Sequence, residues 1–375
     1  MKDKGKGWQK AMEIAAIDKN LAVSCEITEP DLVWRNIRTA PFSILGIHYD
    51  ERLGRFIRMP QDKAEAVSEG VAALNAHTAG GRVRFRTDSP FIGICARMEN
   101  EPLMPHITLV GQSGFDLYRR TEAERKEVYV CSFMPRGGMK TGYSSSCTTD
   151  GTLADYTIDF PLYDGVKELF LALKRDAVLL EPKPYRHMLP VVYYGSSITQ
   201  GGCASRPGNS YQAILSRRLD TDYINLGFSG GAKAEPAMAE YLAGLKMSVF
   251  VCDYDHNTPD VEYLKKTHLP LYRRIRDAQP ELPIVLVSAP TIRKRPAEFE
   301  LRRAVIRETF ETALAEGDRH VFFIDGAELF EGEDWDSCTV DGTHPNDLGF
   351  YRMALRMEKE LSLLLAEESG VQSHP

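Results

Sequence analysis

Near the C-terminus, Asp341-Gly342-Thr343-His344 sets a carboxylate and an imidazole on one short turn. An imidazole accepts a proton from a hydroxyl only when its tautomer is fixed, and a carboxylate three residues earlier is placed to fix it. The turn therefore predicts half of a proton relay that still needs its nucleophile. Far upstream, Gly195-Ser196-Ser197-Ile198-Thr199 follows Leu189-Pro190-Val191-Val192-Tyr193-Tyr194, a β-branched and aromatic run that reads as a buried strand. Ser197 is then expected just past the strand's C-terminal end, where open parallel sheets collect ligands and catalytic groups. Gly195 would let the backbone turn sharply without a Cβ penalty.

These residues need elements to hold them. Strands are expected at 191–194, 223–228, 248–254, 283–289 and 320–325, alternating with helices at 209–219, 235–245, 260–278, 300–316 and 346–367. In the first helix Tyr211, Ile214, Leu215 and Leu219 share a face, and Asn209 or Ser210 can cap it. Strict β/α alternation predicts an α/β unit, a parallel sheet with helices on both faces. Residues 34–178 have another rhythm. Short strands are expected at 82–87, 91–96, 106–110, 128–133, 154–160 and 168–173, with one helical stretch at about 61–76. This predicts an all-β sandwich or jelly roll. Prolines near 181–189 mark the junction, giving expected domains at 1–180 and 186–367.

Four loops with polar signals fall after consecutive strands: the one with Ser197, Gly227-Phe228-Ser229-Gly230-Gly231, Asp253-Tyr254-Asp255-His256-Asn257, and 341–344. Acyl transfer needs such a set: a hydroxyl to attack, a base to take its proton and donors for the oxyanion. On these residues the C-terminal half, roughly 186–366, resembles the SGNH, or GDSL-type, hydrolases. Gly195-Ser196-Ser197-Ile198 matches the first block, with Ser196 where the family has Asp. Gly230 matches the glycine of the second block. Asp255-His256-Asn257-Thr258 matches the third, usually Gly-x-Asn-Asp, keeping only the Asn. Asp341 and His344 match the fifth block intact. Gly114-Phe115-Asp116-Leu117-Tyr118 resembles the GxDLY motif of a β-domain found ahead of some SGNH esterases.

The resemblance implies a flavodoxin-like sheet and a serine esterase. Ser197 would be the nucleophile, His344 the base and Asp341 its orienting acid. The oxyanion would lie on the N–H groups of Ser197 and Gly230 and the side-chain amide of Asn257. Small acyl groups, chiefly acetyl, on a carbohydrate are the implied substrate, with no metal or organic cofactor required. An acyltransferase using the same residues, or a carbohydrate-binding protein with a vestigial hydrolase domain, are the alternatives. An α/β-hydrolase is disfavoured: it expects Gly-x-Ser-x-Gly, and Thr199 stands where the last Gly would be.

Other signals have plainer readings. His256 competes with His344 as base, but Asp341 already orients His344, so His256 is expected to line the pocket or to be structural. Asp253, Asp255 and His256 lack the ligand set of a metal site. The glycine-rich loop 201–208 lacks the Lys and spacing of a phosphate loop and is expected to wall the acyl pocket, with Cys203 an incidental thiol. Arg82, Arg84 and Arg86 alternate as on a solvated strand face, the alternative being a face that meets the catalytic domain or a polar substrate. Residues 114–118 are expected to turn and pack against the partner domain, with Asp116 a candidate substrate contact.

Composition bounds the rest. The 375 residues, 43% hydrophobic and 26% charged, suit two globular domains, and the net charge of −7 opposes nucleic-acid binding. Residues 1–20 carry no uninterrupted apolar run for a secretory signal, and no stretch approaches a membrane span. Seven scattered cysteines without a CxxC pair read as reduced thiols of a cytoplasmic protein. An oligomer is possible.

Overall fold

The computed structural model describes residues 27–99, 104–124, 126–135, 139, 141–290 and 296–368. The readings made on residues 1–20 and on Cys25 lie outside them. The chain divides into two compact units, one comprising residues up to Ile57 with Ala76–Pro184, the other Arg58–Asn75 with Tyr185 onward.

The first unit holds β1 (Leu32–Asn36), β2 (Ser43–Leu45), β3 (His48–Asp50), β4 (Arg55–Ile57), β5 (Arg82–Thr87), β6 (Phe91–Met98), β7 (Phe115–Arg120), β8 (Val128–Phe133), β9 (Gly142–Thr148), β10 (Ala154–Asp159), β11 (Val166–Lys174) and β12 (Leu179–Leu180). They form two antiparallel sheets, β1-β11-β6-β9 and β12-β5-β10-β7-β8 with β2 beside β5, while β3 pairs with β4. Val83, Phe85, Ile94, Leu117, Ile158 and Leu171 from both sheets share one core, which makes this unit a sandwich.

Three expectations are corrected here. Residues 106–110 are not a strand: Thr108 accepts the Gly111 N–H at 2.9 Å and caps a helix, Leu109–Ser113. Residues 114–118 are not a turn but most of β7, with Leu117 in this unit's own core. The arginine row is not a solvated face. Arg82 and Arg84 are 1% and 2% exposed, and the register sets Arg82 opposite Asp159, Arg84 opposite Thr157 and Arg86 opposite Asp155. Alternation with charged residues reported the pleat correctly, but the polar partners opposite them, Asp159, Thr157 and Asp155, allow this face to be buried.

The second unit carries β13 (His187–Gly195), β14 (Thr221–Gly227), β15 (Val249–Asp253), β16 (Ile284–Val287) and β17 (Val321–Ile324) in the order β14-β13-β15-β16-β17, every pair parallel. This is the doubly wound, flavodoxin-like order. Val191, Val192, Tyr193 and Tyr194 are all buried, as a central strand covered on both faces requires. Val192 and Tyr194 join a core with helices Pro236–Ala243, Val261–Ala278 and Pro296–Ala315. On the opposite face Tyr193 meets Tyr211 edge-on at 5.6 Å, and Tyr211 stacks on Phe350, linking helices Tyr211–Leu219 and Asp347–Glu368.

The helical stretch read at 61–76 appears as Gln61–Val67 and Glu69–Leu74, and it belongs to this second unit. Met59, Ala64 and Val71 enter the core of the parallel sheet. Buried Asn75 closes the excursion, donating to Met59 O at 2.8 Å and accepting the Met59 N–H at 2.9 Å. Local patterning found the helices but contained nothing about which core receives them. Among the described residues no helix is long and apolar enough to cross a membrane. Val71→Ala should cost this unit about 1–3 kcal/mol, read as a lower urea midpoint; an unchanged midpoint would contradict the packing.

Candidate active site

The nucleophile candidate sits where β13 stops. Gly195 ends the strand, Ser196 caps and Ser197 opens a one-turn helix, Ser197–Gln200. Ser196 is fully buried, and its Oγ accepts the Ile198 N–H at 3.2 Å, so of the two adjacent serines it is the structural one. The reason for Gly195 differs from the expected one. A Cβ there would lie 2.1 Å from Thr199 Oγ1 and 2.2 Å from Asp253 O, so close approach of neighbouring chain, not turning, demands glycine.

The turn after β17 supplies the partner. Asp341 Oδ1 accepts the N–H groups of Thr343 and His344 at 2.9 and 2.8 Å, and Gly342 adopts φ +81° to let the chain fold back. His344 Nδ1 lies 2.7 Å from Asp341 Oδ2 and His344 Nε2 lies 2.9 Å from Ser197 Oγ. A carboxylate only accepts, so Nδ1 carries the hydrogen and Nε2 is left to accept from the serine hydroxyl. Burial pushes the Asp341 carboxyl upward, but the His344 N–H, the imidazole and the Thr343 N–H outweigh it and hold it at about 2. A depressed carboxyl contributes its stabilisation above its unfolded value and loses it as pH falls through about 2.

Gly230 and Asn257 are brought together. Gly230 has φ +67°, and a Cβ there would touch nothing, so backbone conformation alone favours glycine. Asn257 sits in a 3-10 turn, Asp255–Asn257, after β15. Its Nδ2 donates to Phe228 O at 2.8 Å, and its Oδ1 accepts the Gly230 N–H at 3.1 Å. The Phe228 carbonyl only accepts, which fixes the amide's orientation. The Gly230 N–H, expected to serve an oxyanion, is bonded to Asn257 Oδ1 in this arrangement. An oxyanion would compete with Asn257 Oδ1 for it, while Asn257 keeps a second amide hydrogen.

The remaining candidates separate. His256 tilts against Phe299 with ring centroids 5.0 Å apart. Asp116, in β7, is 0% exposed, and its Oδ1 accepts the Ser132 hydroxyl at 2.6 Å. That bond gives it a structural partner inside the first unit. Asp253 accepts the Thr199 hydroxyl at 3.1 Å, and Asp255 Oδ2 accepts the Ala289 N–H at 3.1 Å, so each carboxylate has its own protein partner. Burial, with the Asp255 charge adding, pushes Asp253 well above the usual carboxylate range. Burial and Asp341 raise the Cys203 thiol to about 12, which keeps it a poor nucleophile. The six described cysteines carry free thiols. Loop 201–208 is tied down beside the site by Ser205, which donates through N–H and Oγ to Asp347 at 2.8 and 2.5 Å.

Several supporting residues escaped sequence reasoning. Thr199 O accepts from Gln212 and Asn225 at 2.6 and 2.8 Å, and Gln200 Oε1 accepts the Ser229 N–H at 3.0 Å, joining the first and second loops. Arg58 donates to Gly227 O and Leu74 O and covers the Phe228 ring at 4.2 Å. A polar Asn225 on a buried strand was a readable signal; Arg58, far off in sequence, offered none.

A Ser–His–Asp relay at the C-terminal edge of a flavodoxin-like sheet is the arrangement of a serine-dependent hydrolase class. Residues 188–362 match the GDSL-like lipase/acylhydrolase family, and residues 32–179 match GxDLY, the N-terminus of Esterase_SGNH_hydro-type. The chain belongs to the SGNH/GDSL-type ester hydrolases that carry an N-terminal GxDLY domain. No curated protein matches it. Among solved structures it is similar to one described as a GDSL-like lipase from Bacteroides ovatus, at 27% identity and TM-score 0.80, covering 89% of this chain and 98% of that one. It is also similar in fold to a salicylyl-acyltransferase from a tetracycline biosynthetic pathway, at 18% identity and TM-score 0.72, covering 90% and 98%. An acetyl xylan esterase from the rumen bacterium Butyrivibrio proteoclasticus shares the fold at 14% identity and TM-score 0.57, covering 91% and 100%.

Gly195→Ala should destabilise the protein by roughly 1–3 kcal/mol, as overpacking does, and lower ester turnover with it. A fully active, equally stable variant would show that the approach of Thr199 and Asp253 is not tight.

Proposed function

We propose that the chain hydrolyses short acyl esters, chiefly acetyl esters of carbohydrates, through an acyl-enzyme on Ser197. The observation that carries this reading is the continuous relay of 2.9 and 2.7 Å hydrogen bonds from Ser197 through His344 to Asp341. The Ser197 oxygen attacks the ester carbonyl as its proton passes to His344 Nε2. The tetrahedral oxyanion is held by the Ser197 N–H, the Gly230 N–H and the Asn257 amide. Collapse breaks the bond to the alkoxide oxygen, which leaves as the alcohol with the proton from His344. Water then repeats the sequence, releasing the acid and restoring the serine. Every step uses this chain's own residues and needs no cofactor.

The carbohydrate and acetyl assignments rest on the shared fold with the acetyl xylan esterase. The acyltransferase neighbour supports a second reading with the same residues, in which an acceptor alcohol replaces water in the second half. The relay itself argues against a vestigial site that only binds sugar. The cytoplasm remains the proposed location, from the sequence reading alone.

Ser197→Ala should abolish turnover of 4-nitrophenyl acetate while the circular dichroism spectrum stays native; retained turnover would defeat the assignment. Asp341→Asn should lower kcat by on the order of 10³–10⁴-fold, because the tautomer is lost. If wild-type protein, given an added alcohol, passes most of its acyl group to that alcohol at millimolar concentration, the transferase reading replaces the hydrolase one.

A further inference from the structure

Asn257 lies in the four-residue stretch Asp255-His256-Asn257-Thr258, where this chain keeps the family's Asn but changes the residues at both ends of the motif. The structure ties both ends of this stretch to one side chain distant in sequence. Arg302, on helix Pro296–Ala315, is 4% exposed. Its Nη1 donates to Asp255 O at 2.5 Å and to Thr258 Oγ1, and its Nη2 donates to Thr258 O at 3.0 Å. The remaining Nη2 hydrogen and Nε go to Glu298 Oε1 at 2.7 and 3.0 Å. All five N–H donors of the guanidinium are thus engaged, in a geometry that lysine could not copy.

Three further bonds close the stretch. Thr258 Oγ1 donates to Asp255 O at 2.9 Å, and the Asn257 N–H donates to Tyr254 O at 3.0 Å. Asp255 Oδ2 accepts the Ala289 N–H at 3.1 Å, anchoring the turn beyond the end of β16. Asp255 is buried, which raises its carboxyl to about 6, while the Ala289 N–H and the Arg302 charge pull it back. Burying an acid is costly unless hydrogen bonds and nearby charge offset the lost hydration, as the Ala289 N–H and Arg302 do here. What Asp255 and Arg302 fix is the backbone on either side of Asn257.

We infer that Arg302, acting with Asp255 and Thr258, is a positioning residue: it clamps the 255–258 turn so that the Asn257 amide is held ready for the oxyanion. The inference rests on the proposed role of Asn257, and its experiment separates the two. A glycine and an aspartate at these positions would offer neither the buried carboxylate of Asp255 nor the hydroxyl of Thr258. Of the two departures, Thr258 meets Arg302 through its hydroxyl, while the Asp255 carboxylate anchors the same turn through the Ala289 N–H.

The test is a double-mutant cycle on the full chain with 4-nitrophenyl acetate. Asn257→Ala should lower kcat on the order of 10²-fold, as loss of one oxyanion donor does; an unchanged kcat overturns the donor role, and the clamp with it. Arg302→Met should lower kcat about tenfold or more with KM nearly unchanged, a displacement effect, and in the Asn257→Ala background it should lower kcat less than about twofold. Losses that multiply in full in the double variant overturn the clamp while leaving the donor role standing. Because Arg302→Met leaves Asp255 buried beside a lost charge, Thr258→Val serves as the milder variant, expected to show a smaller kcat loss with the same disappearance in the Asn257→Ala background. Arg302→Lys should not restore kcat to the wild-type value. Full rescue by lysine would mean that charge alone suffices and would overturn the five-donor clamp.

Discussion

The hydrogen bond between Ser197 and His344 joins residues 147 positions apart, and the second unit is organised so that it can form. Ser197 stands over β13, the second strand of the sheet, whereas the histidine turn follows β17 at the far edge. The chain must therefore travel back across the C-terminal edge before it can place His344. Helix Asp347–Glu368 fixes that return: Phe350 stacks on Tyr211, and Asp347 holds Ser205 through two bonds. A relay bond tolerates only a few tenths of an ångström before it weakens, so a rigid frame at both ends is a condition of the chemistry.

Rigidity around the site comes from buried polar groups satisfied by backbone. Asn225, Gln200 and Gln212 stitch the first two loops, Arg58 supports the second, and Arg302 braces the third. Each such group would be costly if left without a partner in the interior and is specifying when it has one. The site's electrostatics follow the same plan. Asp341, partly exposed and bonded by N–H groups, is held at about 2, while burial pushes Asp253, bonded to Thr199 of the helix that Ser197 opens, well above the usual carboxylate range. Environment alone thus moves two chemically identical groups in opposite directions.

Much of this was readable from residues. The alternation of apolar runs after 186 anticipated the parallel sheet because central strands must be apolar on both faces, and order along the chain then placed the four loops on one edge. Ser197, Asp341 and His344 were legible for the same reason, being polar residues at strand ends in short distinctive turns. What stayed hidden depends on partners distant in sequence. Residues 58–75 look like any short helical pair until the core they join is known. Arg82 and Arg84 look exposed until Asp159 and Thr157 are set opposite them. Thr108, one residue, converts an apparent strand into a capped helix. Gly195 was chosen correctly for the wrong reason, since close approach cannot be read from a single strand.

The most direct test of the account is active-site labelling of the wild-type chain with a fluorophosphonate, followed by peptide mass mapping. The account predicts a single adduct on Ser197, formed at a rate that falls sharply in His344→Ala. An adduct on Ser196 or another residue, or labelling of Ser197 that does not depend on His344, would contradict it.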